Sequence, residues 1–110
     1  NRGVSIMTHI DVKRNRLGQI IECHFRGHAE AGPYGEDIVC AAISILSQTS
    51  ILGLHEVAKQ SMEYQIEDGE LHILLSEPIT ERGQTILETM LLGIKNVADQ
   101  YSDFVRVSEQ

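Results

Sequence analysis

From Ile38 to His55 the chain runs eighteen residues without an Asp, Glu, Lys or Arg. No other feature limits the fold as strongly. A stretch of that length raises the question of a membrane span. Ser44, Ser47, Gln48, Thr49, Ser50 and Gly53 lower its mean hydropathy too far for that, so it reads as a helix buried on more than one side. One side can face a sheet. The other needs a second helix or another subunit. Asp37 is placed to N-cap this helix, which then begins at Ile38 and runs to about residue 58.

The flanking segments have the period of strands. Ile10 and Val12 alternate with His9, Asp11 and Lys13 over residues 8–14. After a turn over Asn15–Gly18, Ile21, Cys23 and Phe25 alternate with Glu22, His24 and Arg26 over residues 19–27. Beyond the apolar helix, Met62, Tyr64 and Ile66 point inward along 61–67. Asp68-Gly69 turns the chain, and Leu71, Ile73 and Leu75 return along 70–76. Residues 80–101 carry a helical stripe of Ile86, Leu87, Met90, Leu91, Ile94, Val97, Ala98 and Tyr101. A last strand covers 103–108. The pattern predicts an α+β fold in two layers: a mostly antiparallel sheet of about five strands and two helices, in the order ββαββαβ.

With 110 residues, 42% hydrophobic and 23% charged, the chain suits one soluble domain. Residues 1–6 read as a remnant ahead of a native start at Met7, leaving 7–110 as the domain. No apolar signal segment precedes it, and the two cysteines match a reducing, cytoplasmic location. The net charge of −7 argues against nucleic acid as a direct partner and suits a basic one. No membrane contact and no cofactor are expected.

The chemistry gathers at residues 27–44. Cys23 shares a strand face with Ile21 and Phe25, so it reads as a core thiol, and Cys40 stands apart from it in the first turn of the helix. Thiolate is the reactive form of cysteine. A helix N-terminus contributes at most about 2 kcal/mol toward it, which leaves an ordinary thiol about half protonated at neutral pH. A neighbouring histidine can supply the rest. His28 ends the preceding strand, and the loop 29–36 is long enough to bring it to Cys40. Gly27, Gly32 and Gly35 give the connection the freedom of a gate. Asp37 works against a thiolate unless its carboxylate turns to His28 or the backbone. Ser44, one turn beyond Cys40, either meets the site or bonds back to its own helix. Two rivals exist. Cys23, His24, His28 and Cys40 are metal-type side chains, but Cys23 points away from the histidines and no ligand pair has metal spacing, so no metal is expected. A non-catalytic interaction module would need the surface and not the thiol.

Residues 27–44 read GHAEAGPYGEDIVCAAIS. They resemble the motif G-H-A-x-x-G-x-x-G-x-D-I-V-C-A-[AG]-[IV]-S of the ribosomal-processing cysteine proteases, the bacterial Prp family, without a gap or departure. The resemblance implies Cys40 as nucleophile and His28 as base, with Asp37 and Ser44 on supporting positions. It implies a homodimeric endopeptidase that removes a short N-terminal extension from a ribosomal protein precursor, the twenty-seventh protein of the large subunit.

Overall fold

The structure is a computed structural model describing residues 7–27 and 34–110; the side chains of 34–37 lie outside the described part. The elements are β1 (Thr8–Arg14), β2 (Ile20–Arg26), α1 (Tyr34–Glu56), β3 (Met62–Glu67), β4 (Glu70–Leu75), α2 (Glu81–Gln100) and β5 (Val105–Glu109). This is the expected ββαββαβ order. The strands form one sheet in the order β3-β4-β2-β1-β5. Three of its pairings are antiparallel, and β5 adds in parallel beside β1.

One face of the sheet meets the helices. Ile10, Val12, Cys23, Phe25, Leu71, Ile73 and Leu75 form a single core with Val39, Ile43, Ile51 and Leu54 of α1 and Leu87, Met90, Leu91 and Ile94 of α2. By length and composition Ile38–Glu56 could cross a membrane. In the fold, however, four of its apolar residues complete this core. The other sheet face is polar. There His72 pairs with Glu22 at 2.6 Å, His24 with Glu70 at 2.5 Å and Arg26 with Asp11 at 2.9 Å.

Three elements depart from the sequence reading. First, β2 carries an irregularity: Lys13 faces Glu22, but Arg14 faces Ile20, so Ile21 is passed over. The slip turns Ile20 inward to full burial in place of Ile21. Gln84 of α2 fixes it there, accepting from the Ile20 N–H at 2.7 Å and donating to its carbonyl at 2.8 Å. Second, α1 begins at Tyr34 and ends at Glu56, so Asp37 lies inside the helix rather than capping it. Third, Tyr64 and Ile66 of β3 are each 52% exposed, although they stand opposite the buried Ile73 and Leu71. They point toward the helix layer, as the alternation predicts, but neither helix covers them.

An ionic cluster ties α2 to the far edge of the sheet. The Arg14 guanidinium meets Glu88 at 2.6 Å and Glu109 at 3.3 Å, and Lys95 meets Glu109 at 2.6 Å. The hydrogen bond from Arg14 holds the Glu88 carboxyl below its usual range, and that from Lys95 does the same for Glu109. Carboxylates held low in the folded state stabilise it above their ordinary range near 4.5. That stabilisation is lost as the pH falls through the folded values. An Arg14→Ala variant is therefore expected to melt below the wild type near neutrality, with the gap closing in acid. Thermal melts across pH check this. A gap that widened in acid would count against the pairing.

Candidate active site

Cys40 lies on the face of α1 that looks toward the β3–β4 hairpin. It is partly buried and lines a groove of about 300 Å³ with Ser44, Gln48, Ile66, Asp68 and Leu71. The hairpin end is shaped by Gly69, whose φ of +78° glycine adopts without strain. Its carbonyl accepts from the Gly27 N–H at 3.0 Å, joining the end of β2 to the wall of the groove. Gly27 itself has φ +90°, and a Cβ built there would lie 2.5 Å from the Met7 carbonyl oxygen. This glycine closes a tight crossing of β2 and the chain entering β1.

The start of α1 changes the electrostatics. Cys40 is the seventh residue of a helix that begins at Tyr34, not a member of its first turn. The field of a helix end falls off within one turn, and the unpaired N–H groups are the first four. The first-turn position expected for Cys40 is thus corrected: the helix terminus lies more than one turn before it. Gly35 also falls inside α1 rather than in the loop. His28 and Gly32 lie outside the described residues, as do residues 1–6 and the side chain of Asp37.

Ser44 is exposed and lines the groove, one turn from Cys40. Its carbonyl accepts from the Ser47 hydroxyl at 3.1 Å, and the stronger bond of that hydroxyl goes to Ile43 at 2.9 Å. The back-bonding considered for Ser44 is thus made by Ser47, which is buried.

The two cysteines are not joined by a disulfide. Cys23 is fully buried between β1 and β4, and that burial pushes its thiol up to about 12. Among the described residues no cluster suited to a metal ion occurs. The contrast in exposure predicts that iodoacetamide at neutral pH labels folded protein once, at Cys40, at least ~100-fold faster than at Cys23. Peptide mapping after a timed pulse checks this; equal labelling would contradict the buried placement of Cys23.

The sequence reading missed the far wall of the groove. Ile66, Asp68 and Leu71 come from a hairpin some thirty residues beyond Cys40. The signal that could have found them is the inward stripe of β3, since two helices cannot cover five strands.

Comparison with known proteins agrees with this architecture. The family profile described as Cysteine protease Prp matches residues 7–106. The ribosomal processing cysteine protease Prp of Staphylococcus aureus is 30% identical over 105 residues, spanning 93% of this chain and 98% of that protein. Two crystal structures of the essential ribosomal processing protease Prp from S. aureus superpose closely. The one in complex with a substrate peptide gives a TM-score of 0.88 at 26% identity. The one with a covalently linked product peptide gives 0.86 at 27%. Each comparison covers 94% of this chain and 100% of the other. A family match across nearly the whole chain, with a matching fold and a thiol set in a groove, leads to one conclusion: the chain belongs to the Prp family of cysteine proteases.

Proposed function

We propose that this protein is the endopeptidase that removes the N-terminal extension from the precursor of the twenty-seventh large-subunit ribosomal protein. The observation that carries the reading is the partly exposed thiol of Cys40 on a groove between α1 and the β3–β4 hairpin. The S. aureus relative, named for ribosomal processing, has been seen with substrate and product peptides.

The chemistry follows from a Cys-His dyad. His28 takes the proton from Cys40 Sγ, and the thiolate attacks the scissile carbonyl carbon. As the C–N bond breaks, His28 returns the proton to the leaving amine, which becomes the new N-terminus of the ribosomal protein. The extension stays on Cys40 as a thioester until water releases it as a carboxylate and restores the thiol. Asp37 orients His28 in this scheme, and Ser44 lines the approach. No metal or cofactor enters any step. Incubating the precursor with the protein tests the reading. Mass spectrometry should find the shortened protein and, after acid quench, the extension attached to Cys40. A precursor left whole at high enzyme concentration would overturn it.

In the same reading the enzyme acts in the cytoplasm as a homodimer. Ile38, Ile45 and Leu52 recur every seven residues along α1 and are 38%, 65% and 62% exposed. Such a stripe suits a second copy of the helix. Sedimentation should give the mass of two chains for the wild type and of one for Leu52→Glu.

A further inference from the structure

The side chains gathered at the tip of the β3–β4 hairpin carry charge of one sign. Glu67 and Asp68 both line the space beside Cys40, and among the described residues no lysine or arginine does. Neither carboxylate makes an ion pair or a side-chain hydrogen bond with a described residue. Glu70, the third acid of the tip, is already engaged: its carboxylate meets His24 at 2.5 Å on the polar face of the sheet.

Beside the tip lies a buried hydroxyl. Thr8 stands at an inward position of β1, is only 5% exposed and lines the same space. A Cβ built on Gly27 would lie 3.7 Å from the Thr8 Cα, and the Gly27 N–H bonds to Gly69 in the turn at 3.0 Å, so Thr8 and the tip adjoin. The Thr8 N–H donates to the Phe104 carbonyl, but its side-chain hydroxyl has no partner among the described residues. A buried hydroxyl without a partner is destabilising, so one kept at the edge of a groove points to a ligand. A cation with N–H donors on a long apolar stem suits both features. The carboxylates attract it, the hydroxyl accepts from it, and Ile66 and Leu71 offer the stem an apolar surface. Lysine and arginine side chains have this form, and proteins that bind RNA phosphates are rich in them.

We propose that Glu67, Asp68 and Thr8 form a specificity subsite for one lysine or arginine side chain of the precursor, close to the bond that is cut. The inference rests on the proteolytic reading above and adds to it a choice among sequences: the hairpin tip selects for positive charge. The basic residue belongs either to the extension or to the mature protein, and the chemistry of recognition is the same for both.

The test uses synthetic peptides that span the scissile bond of the precursor. In one set lysine stands in turn at each position near that bond, on both sides; in the matched set methionine, of similar length and no charge, takes its place. For the wild type, lysine should raise kcat/KM over methionine ~10-fold at one position, with a smaller gain at high salt. A position before the bond assigns the cation to the extension, one after it to the mature protein. Asp68→Asn keeps the hairpin, because Asn-Gly turns as readily as Asp-Gly, and Glu67→Gln keeps the shape of the side chain. The double variant should lower the gain to ~2-fold or less and leave the methionine peptides cut at the wild-type rate. Thr8→Val should lower the gain ~3-fold yet melt no lower than the wild type, since it removes a buried hydroxyl that had no partner. A Thr8→Val variant that melts lower with its gain intact overturns the part given to Thr8. Equal cutting of both sets, or a gain that survives the double variant, overturns the subsite and leaves proteolysis standing. Failure of the wild type to cut any peptide removes the proteolytic reading and the subsite together.

Discussion

Replacing Cys40 by Ala is expected to leave a protein that folds and that, under the proposed mechanism, cleaves the precursor at least ~10⁴-fold more slowly than the wild type. The fold survives for two reasons. Cys40 is only partly buried on the groove side of α1, and Ala is the best of the helix formers. The core positions flanking it, Val39 and Ile43, are untouched. What disappears is the thiol that carries the acyl group in the proposed mechanism. Ser44 and Ser47 cannot replace it. Ser47 is buried and bonded to the Ile43 carbonyl, and among the described residues Ser44 has no base to activate it. On the proposed dyad, His28→Ala should cost a similar factor, and the double variant hardly more than either single one, because such a nucleophile and base act as a unit. Rates of precursor cleavage for the four proteins check this. Near-normal cleavage by Cys40→Ala would end the assignment, and losses that multiplied would show two independent roles.

The sequence made the layered fold legible because its elements carry clean periods. The stripe on α2 predicted residues 80–101, and the helix occupies Glu81–Gln100 with Thr80 accepting from the Gly83 N–H at 2.9 Å as its cap. The Asp68-Gly69 turn and the alternation of β4 were equally readable. The errors have physical causes. Gly35 and Asp37 are weak helix formers, and reading them as loop and cap set the start of α1 three to four residues late. A glycine in a helix costs only about 1 kcal/mol, which a helix of 23 residues outweighs. The slip at Ile20 depends on Gln84, sixty-four residues away, and no local pattern contains it. For β3 the period was right and the burial wrong, because alternation states which way a side chain points and not what stands above it. That mismatch lies beside the thiol, where a conflict between pattern and burial is a mark of function.

Gly27→Ala is expected to destabilise the fold by about 2–4 kcal/mol, a larger effect than any other exposed substitution near the site. Two effects add. The backbone at Gly27 holds φ +90°, where an L side chain is strained. The new methyl would also stand 2.5 Å from the Met7 carbonyl oxygen, too close for any real contact. Relief requires moving either the chain entering β1 or the end of β2. The first loosens Thr8, whose N–H donates to the Phe104 carbonyl at 2.8 Å. The second breaks the bond from Gly27 to Gly69 and frees the hairpin wall of the Cys40 groove. Thermal melting should therefore show a clear drop, and kcat should fall further than the lost stability explains under conditions where the variant is still folded. By contrast Gly18→Ala, at φ +81° but with nothing within 4 Å of its Cβ, should show the strain alone and no loss of kcat. Equal effects of the two substitutions on kcat would mean that the crossing at Gly27 does not position the site.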